Sequence, residues 1–183
     1  MRTSAPEKLL KVVDEIDEHG HASLTRLTVL KKWFERPKRL SAFALWVAAR
    51  AVSRKGKTDG AAAALFLEAR ALLAGLDKIT SKLNRLAAQK LCDHLRDFQH
   101  EYKNQQWGPV RIVHNWNLLL VEEALGICLW RADSPSHGYK LAADYCRHYD
   151  SRYGNSLNGP SRAKIEEIAR FMFVVEALED DRK

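Results

Sequence analysis

Apolar residues in this chain recur at three- to five-residue steps, and that period limits its fold more than any other feature. Ile165, Ile168, Met172, Val175 and Leu178 make one such row, and Tyr139, Ala142, Cys146, Tyr149 and Tyr153 make a second. Ile79, Leu83, Leu86, Leu91, Leu95, Phe98 and Tyr102 make a third. Steps of three and four gather side chains on one face of a helix, whereas a half-buried strand alternates by two. The rival strand, Phe171 to Val175, has flanking charges (Lys164, Glu166, Glu167, Glu179) that keep helical spacing.

Proline and glycine mark the ends of these segments. Pro6, Pro37, Pro109, Pro135 and Pro160 each stand where a helix can begin, because a missing N–H is harmless in a first turn. Ser134 is placed to cap the helix that Pro135 opens, its hydroxyl accepting a free backbone N–H. Gly20, Gly75, Gly108 and Gly154 read as stops that permit a left-handed residue. The spans predicted are 5–18, 22–35, 38–55, 59–75, 78–106, 109–131, 135–153 and 160–179. In the sixth, Val113, Trp116, Leu120 and Ile127 occupy one side and Leu118, Val121 and Leu125 another, the pattern of a helix surrounded by others. The expected fold is all-α: a compact bundle of about eight helices with short connections and one central, near-fully apolar helix. A chain of 183 residues fits a single helical domain over 1–183, with a basic helical-hairpin lobe (1–76) and a longer-helix lobe (78–183).

The cysteines Cys92, Cys128 and Cys146 are few, odd in number and far apart, the usage of reduced thiols in a reducing compartment. The first ten residues hold no apolar signal-like core, and apolar runs such as Ala124 to Trp130 fall far short of the ~20 residues that span a bilayer. A cytoplasmic location with no membrane partner is expected.

Charge is distributed unevenly. Between Arg26 and Lys57 stand ten cationic residues and one acid, a net +9, while the whole chain is +7. Local positive charge attracts anionic partners. On an ideal helix over 39–54, Leu40, Ala44, Val47, Ala48 and Ala51 share an apolar face. Arg39, Phe43, Trp46, Arg50 and Arg54 share the opposite one. Arginines beside aromatics can neutralise phosphates and stack on unpaired bases. The predicted anion-binding set is Arg36, Lys38, Arg39, Trp46, Arg50, Arg54, Lys55 and Lys57. The rival reading is that Phe43 and Trp46 pack under a neighbouring helix, with Arg50 and Arg54 covering them by cation–π contact. A helix-turn-helix, turning at Arg36-Pro37, would aim Lys38, Arg39 and Ser41 at a groove.

Other motifs are weaker. Ala51 to Thr58 fits a loosened phosphate-binding loop, but the preceding residues read as helix and Arg54 and Lys55 crowd the loop. Cys92-x-His94 and Cys146-x-His148 place each pair about 200° apart on a helix, which prevents a shared ion. Glu18-x-x-His21 falls across a helix end. Neither a metal nor a cofactor is expected. Cys128 reads as an inert core thiol. His114, Asn117, Glu122 and Glu123 are the polar group on the otherwise apolar sixth segment and mark the expected pocket.

Acids cluster at the two ends: Glu7, Asp14, Glu15, Asp17 and Glu18 in the first helix, and Glu176, Glu179, Asp180 and Asp181 in the last. They can mask the basic segment or meet it on a second copy. The expected function is a non-enzymatic interaction module whose 26–57 face binds an anionic partner such as nucleic acid. The alternative is a helical adaptor or self-associating homo-oligomer, and a third reading is an enzyme with its pocket near His114–Glu123.

Overall fold

A computed structural model describes residues 4–53, 60–74, 83–104, 110–149 and 156–181. Eight α-helices are present among them: α1 (Ala5–His19), α2 (Val29–Trp33), α3 (Pro37–Ser53), α4 (Gly60–Leu73), α5 (Arg85–Asn104), α6 (Val110–Trp130), α7 (Pro135–Cys146) and α8 (Arg162–Asp180). A 3-10 turn, Leu24–Thr28, leads into α2, and a ribbon of β1 (Arg147–Tyr149) and β2 (Ser156–Pro160) joins α7 to α8.

Local chemistry accounts for the helix ends. The Ser4 hydroxyl accepts from the Glu7 N–H at 3.4 Å, and Glu7 Oε2 accepts from the Ser4 N–H at 2.6 Å, a reciprocal cap on α1. Gly20, at φ 76°, ends the same helix in the left-handed region and donates to the Ile16 carbonyl at 2.8 Å. Ser134 does precede Pro135, but its hydroxyl bonds the His137 ring at 2.7 Å and not a backbone N–H.

Three segments differ from the predicted spans. The helix expected over 78–106 starts at Arg85 among the described residues, where Asn84 Oδ1 accepts the Ala87 N–H at 3.1 Å. The helix expected over 22–35 is a 3-10 turn followed by one and a half turns of α2. Ser23 favours the break, since its hydroxyl takes the Thr25 N–H at 3.3 Å and meets the Thr25 hydroxyl at 2.8 Å. The helix expected over 135–153 stops at Cys146. Arg147 turns to φ −61°, ψ 137°, and the Ser161 N–H donates to the Cys146 carbonyl at 2.7 Å, so the chain returns beside the end of α7. β1 and β2 pair antiparallel, His148 with Leu157 and Tyr149 with Ser156.

α6 is the central element. It packs most extensively on α3 and also against α4, α5 and α7. Leu118, Leu120, Val121, Leu125 and Ile127 are all buried, as expected of a helix apolar on several sides. The Leu40, Ala44, Val47, Ala48 and Ala51 face of α3 is buried too, its small side chains admitting a close neighbour. One continuous core reaches from Leu9 in α1 to Val175 in α8. Leu86 departs from its predicted row: it is 83% exposed, because it sits five residues before Leu91 and so points about 140° away. Among the described residues no helix is long and apolar enough to cross a membrane.

Candidate interaction surfaces

Arg39 and Arg50 of α3, with Arg36 just before it, form an internal docking face for α8. The two helices align antiparallel through their side chains. At one end Arg50 lies 3.6 Å from Glu167 and 4.8 Å over the Trp46 ring. In the middle Trp46 stacks on Phe171 at 4.9 Å between centroids, and Phe43 joins at 6.0 Å. At the other end Arg39 donates to Glu179 at 2.6 Å and approaches Glu176 at 3.7 Å, while Arg36 donates to Glu179 at 2.8 Å. Arg39 also covers the Trp33 ring at 5.0 Å, and the Trp33 indole N–H donates to Glu176 at 2.9 Å. Farther along, Arg26 pairs with Glu15 of α1 and Arg162 with Asp17 at 2.8 Å.

Five of the predicted anion-binding residues are thus located. Arg36, Arg39 and Arg50 are ion-paired within the chain, and Trp46 is half-buried in the aromatic cluster. Lys38 is exposed and carries no ion pair among the described residues. Arg54, Lys55 and Lys57 lie outside the described residues, as does most of the loosened phosphate-loop motif; its first three residues end α3 as helix. The start of α3, which a helix-turn-helix would aim at a groove, has its Arg39 only 13% exposed under α8. Hydrogen bonding to Arg39, aided by the charges of Arg39 and Arg36, holds the Glu179 carboxyl below its usual range.

Two of the four residues expected to line the pocket turn to different neighbours. Glu122 faces α5 and lies 3.6 Å from Arg96, whereas Glu123 faces α7 and pairs with Lys140. Adjacent helix positions differ by about 100°, so the two acids serve different neighbours. Asn117 is half-buried, and the His114 side chain lies outside the described residues. Lys140 also reaches Asp144 at 3.0 Å, and Asp144 approaches Arg147 at 3.4 Å. Burial raises the Glu123 pKa, Lys140 opposes the rise and Asp144 adds to it. The group is an ionic clasp between α6 and α7.

An open cleft of about 540 Å³ lies between α1 and the 3-10 turn, with Lys8, Lys11, Glu15 and Arg26 among its lining. No group of three metal-ligating side chains occurs among the described residues. All three cysteines are free thiols, and burial raises Cys92 to about 11 and Cys128 and Cys146 to about 12, which makes them poor nucleophiles.

The sequence pattern missed the outer face of α8. Leu178 was expected on the core row with Ile165, yet thirteen residues of helix carry it about 220° round. It is exposed, together with Phe173 at 41% and Val174 at 53%. Ala177 continues the same patch. Helical angles alone could have separated Leu178 from the core row, but only the packing of α8 shows which side is inward. Compared with known proteins, the chain matches no family model, no curated protein and no solved structure.

Proposed function

We propose that this chain is a non-enzymatic protein-interaction module that works by self-association. The observation that carries the reading is the apolar outer face of α8, where Phe173, Val174 and Leu178 stand in solvent on consecutive turns. Large apolar side chains grouped on a helix surface are stabilised by a protein partner that removes them from water. Arg26, Arg36, Arg39 and Arg50 contribute little to an external contact in this reading, because carboxylates of α1 and α8 already engage them. Three cysteines present as free thiols suit a reducing compartment such as the cytoplasm.

A second reading keeps the anionic partner. Its support is the cleft at Lys8, Lys11 and Arg26, together with the exposed Lys38 at the start of α3, which has no ion pair among the described residues. A phosphate there would compete with Glu15 for Arg26.

One pair of measurements separates the two. Sedimentation velocity over a range of protein concentrations should show association that persists when salt is raised from about 50 to about 500 mM, since burial of apolar surface is little screened. Fluorescence anisotropy with a labelled oligonucleotide should show no affinity whose logarithm falls steeply with salt. A protein that stays monomeric while binding the oligonucleotide at low salt would replace the first reading by the second.

A further inference from the structure

The outer face of α8 carries more order than an apolar patch. Arg170, Val174, Ala177 and Asp181 follow one another at steps of four, three and four residues. That spacing makes the seam of a two-helix coiled coil, along which each side chain can enter a gap on a facing helix. Phe173 and Leu178 border the seam on its two sides. The row is also charge-antisymmetric, with a cation at one end and an acid at the other, about 16 Å apart along the axis.

We infer that two copies of this chain pair through α8 in an antiparallel, two-fold symmetric contact centred between Val175 and Glu176. In this register Val174 packs against the partner's Ala177, and Arg170 meets the partner's Asp181 at both ends. Phe173 comes beside the partner's Phe173 and Leu178 beside the partner's Leu178. A parallel pairing would set Arg170 against its own copy, and like charges in register are unfavourable. The charge order therefore selects the occupant: a helix of the same sequence running the opposite way.

The charges are available for this. Arg170 is 77% exposed and approaches Glu166 at 3.7 Å, while Glu166 is engaged more closely by Arg162 at 3.0 Å. Arg170 can exchange Glu166 for an acid of the second copy and leave Glu166 paired. Asp181 is exposed at the end of the helix. Three turns of helix bury less than a standard interface of roughly 800 Å² per partner, so the contact is a dissociable dimer.

The inference deepens the self-association reading and rests on it. The test is sedimentation velocity of the full chain from about 10 to about 500 µM, a range suited to weak complexes, with circular dichroism to confirm unchanged helicity. Wild type should shift from monomer to dimer. Val174→Glu should remain monomeric. Arg170→Asp and Asp181→Arg should each weaken dimerisation about tenfold or more, since each sets like charges together at both ends. The double variant Arg170→Asp/Asp181→Arg should recover it to within about threefold, because both attractive pairs return with signs exchanged. None of these side chains touches the core. A wild type that stays monomeric at the highest concentration overturns the inference and the self-association reading together. A dimer that survives Val174→Glu, or that the double swap does not restore, overturns the antiparallel α8 contact and leaves self-association standing.

Discussion

Arg39 sits over the Trp33 indole and between two carboxylates of α8. Its guanidinium fork suits Glu179, donating through both Nε and Nη2. Replacing it with glutamine leaves Glu179 only the exposed Arg36 and Glu176 only the Trp33 indole N–H as partners. Arg39→Gln should cost about 1.5–3 kcal/mol, the range for hydrogen bonds to charged groups, read from urea unfolding at neutral pH. The same contact makes stability depend on acid. The folded Glu179 pKa lies below its ordinary value near 4.5. The contribution is therefore complete above that value and is lost as pH falls through it toward the lower folded pKa. Urea midpoints measured from pH about 6 down to about 3 should drop, and Glu179→Gln should flatten that slope.

Phe43 belongs to the same scale. In the sequence it shares a helix face with arginines, and that face reads as a surface. In the fold it is fully buried, 4.9 Å from Phe34 and 5.8 Å from Trp46. Phe43→Ala should cost about 3–5 kcal/mol, seen as a lower urea midpoint with an unchanged slope. A cost under about 1 kcal/mol would mean that the ring is not part of the core. Sequence reasoning held both readings of this face open, because the helical wheel tells which side chains stay together and not what they meet.

At the scale of elements, periodicity located the eight helices but not their ends. α1, α3, α4 and α6 lie close to their predicted spans, since proline, glycine and serine act on the backbone of their own helix. The end of α7 was illegible. Its tyrosine row continues to Tyr149 in the sequence, yet Tyr149 lies in β1, where pairing with Ser156 competes with helix propagation. A long-range partner decided it, and local propensity is silent about such partners. α7 also shows how close two elements come. A Cβ on Gly138 would stand 2.5 Å from Leu40 Cδ1 and 2.7 Å from Phe34 Cδ2. Alanine is intrinsically the better helix former, so an isolated helix would gain from the change. In this fold Gly138→Ala should instead destabilise by about 1–3 kcal/mol through overpacking, measured by thermal unfolding; a rise in melting temperature would show that α2 and α3 yield freely.

For the whole molecule, charge and hydrophobicity exchange the roles that the sequence suggests. The +9 segment reads as the exposed feature and the C-terminal helix as a core row. In three dimensions α8 lays Glu167, Glu176 and Glu179 over the arginines, and α1 engages Arg26 through Glu15. Glu176 and Glu179 therefore act as internal counter-ions, and the outward side of α8 carries Phe173, Val174 and Leu178 between Arg170 and Asp181. The self-pairing proposed for that face depends on the fold as much as on the residues, because it rests on which side of α8 the core has taken.

The sequence by itself determined the helical class, the centrality of α6, the small-residue face of α3 and the Gly20 stop of α1. Each depends on neighbours within a few positions or on a periodic row that any compact chain must bury. Tertiary structure alone decided which charges remain available and which apolar side chains remain wet. Arg39 and Glu179 are 140 positions apart, and Leu178 is exposed because the core lies on the other side of its helix. Ion pairing and burial are properties of juxtaposed surfaces, and a linear pattern records what each surface contains without recording what it faces.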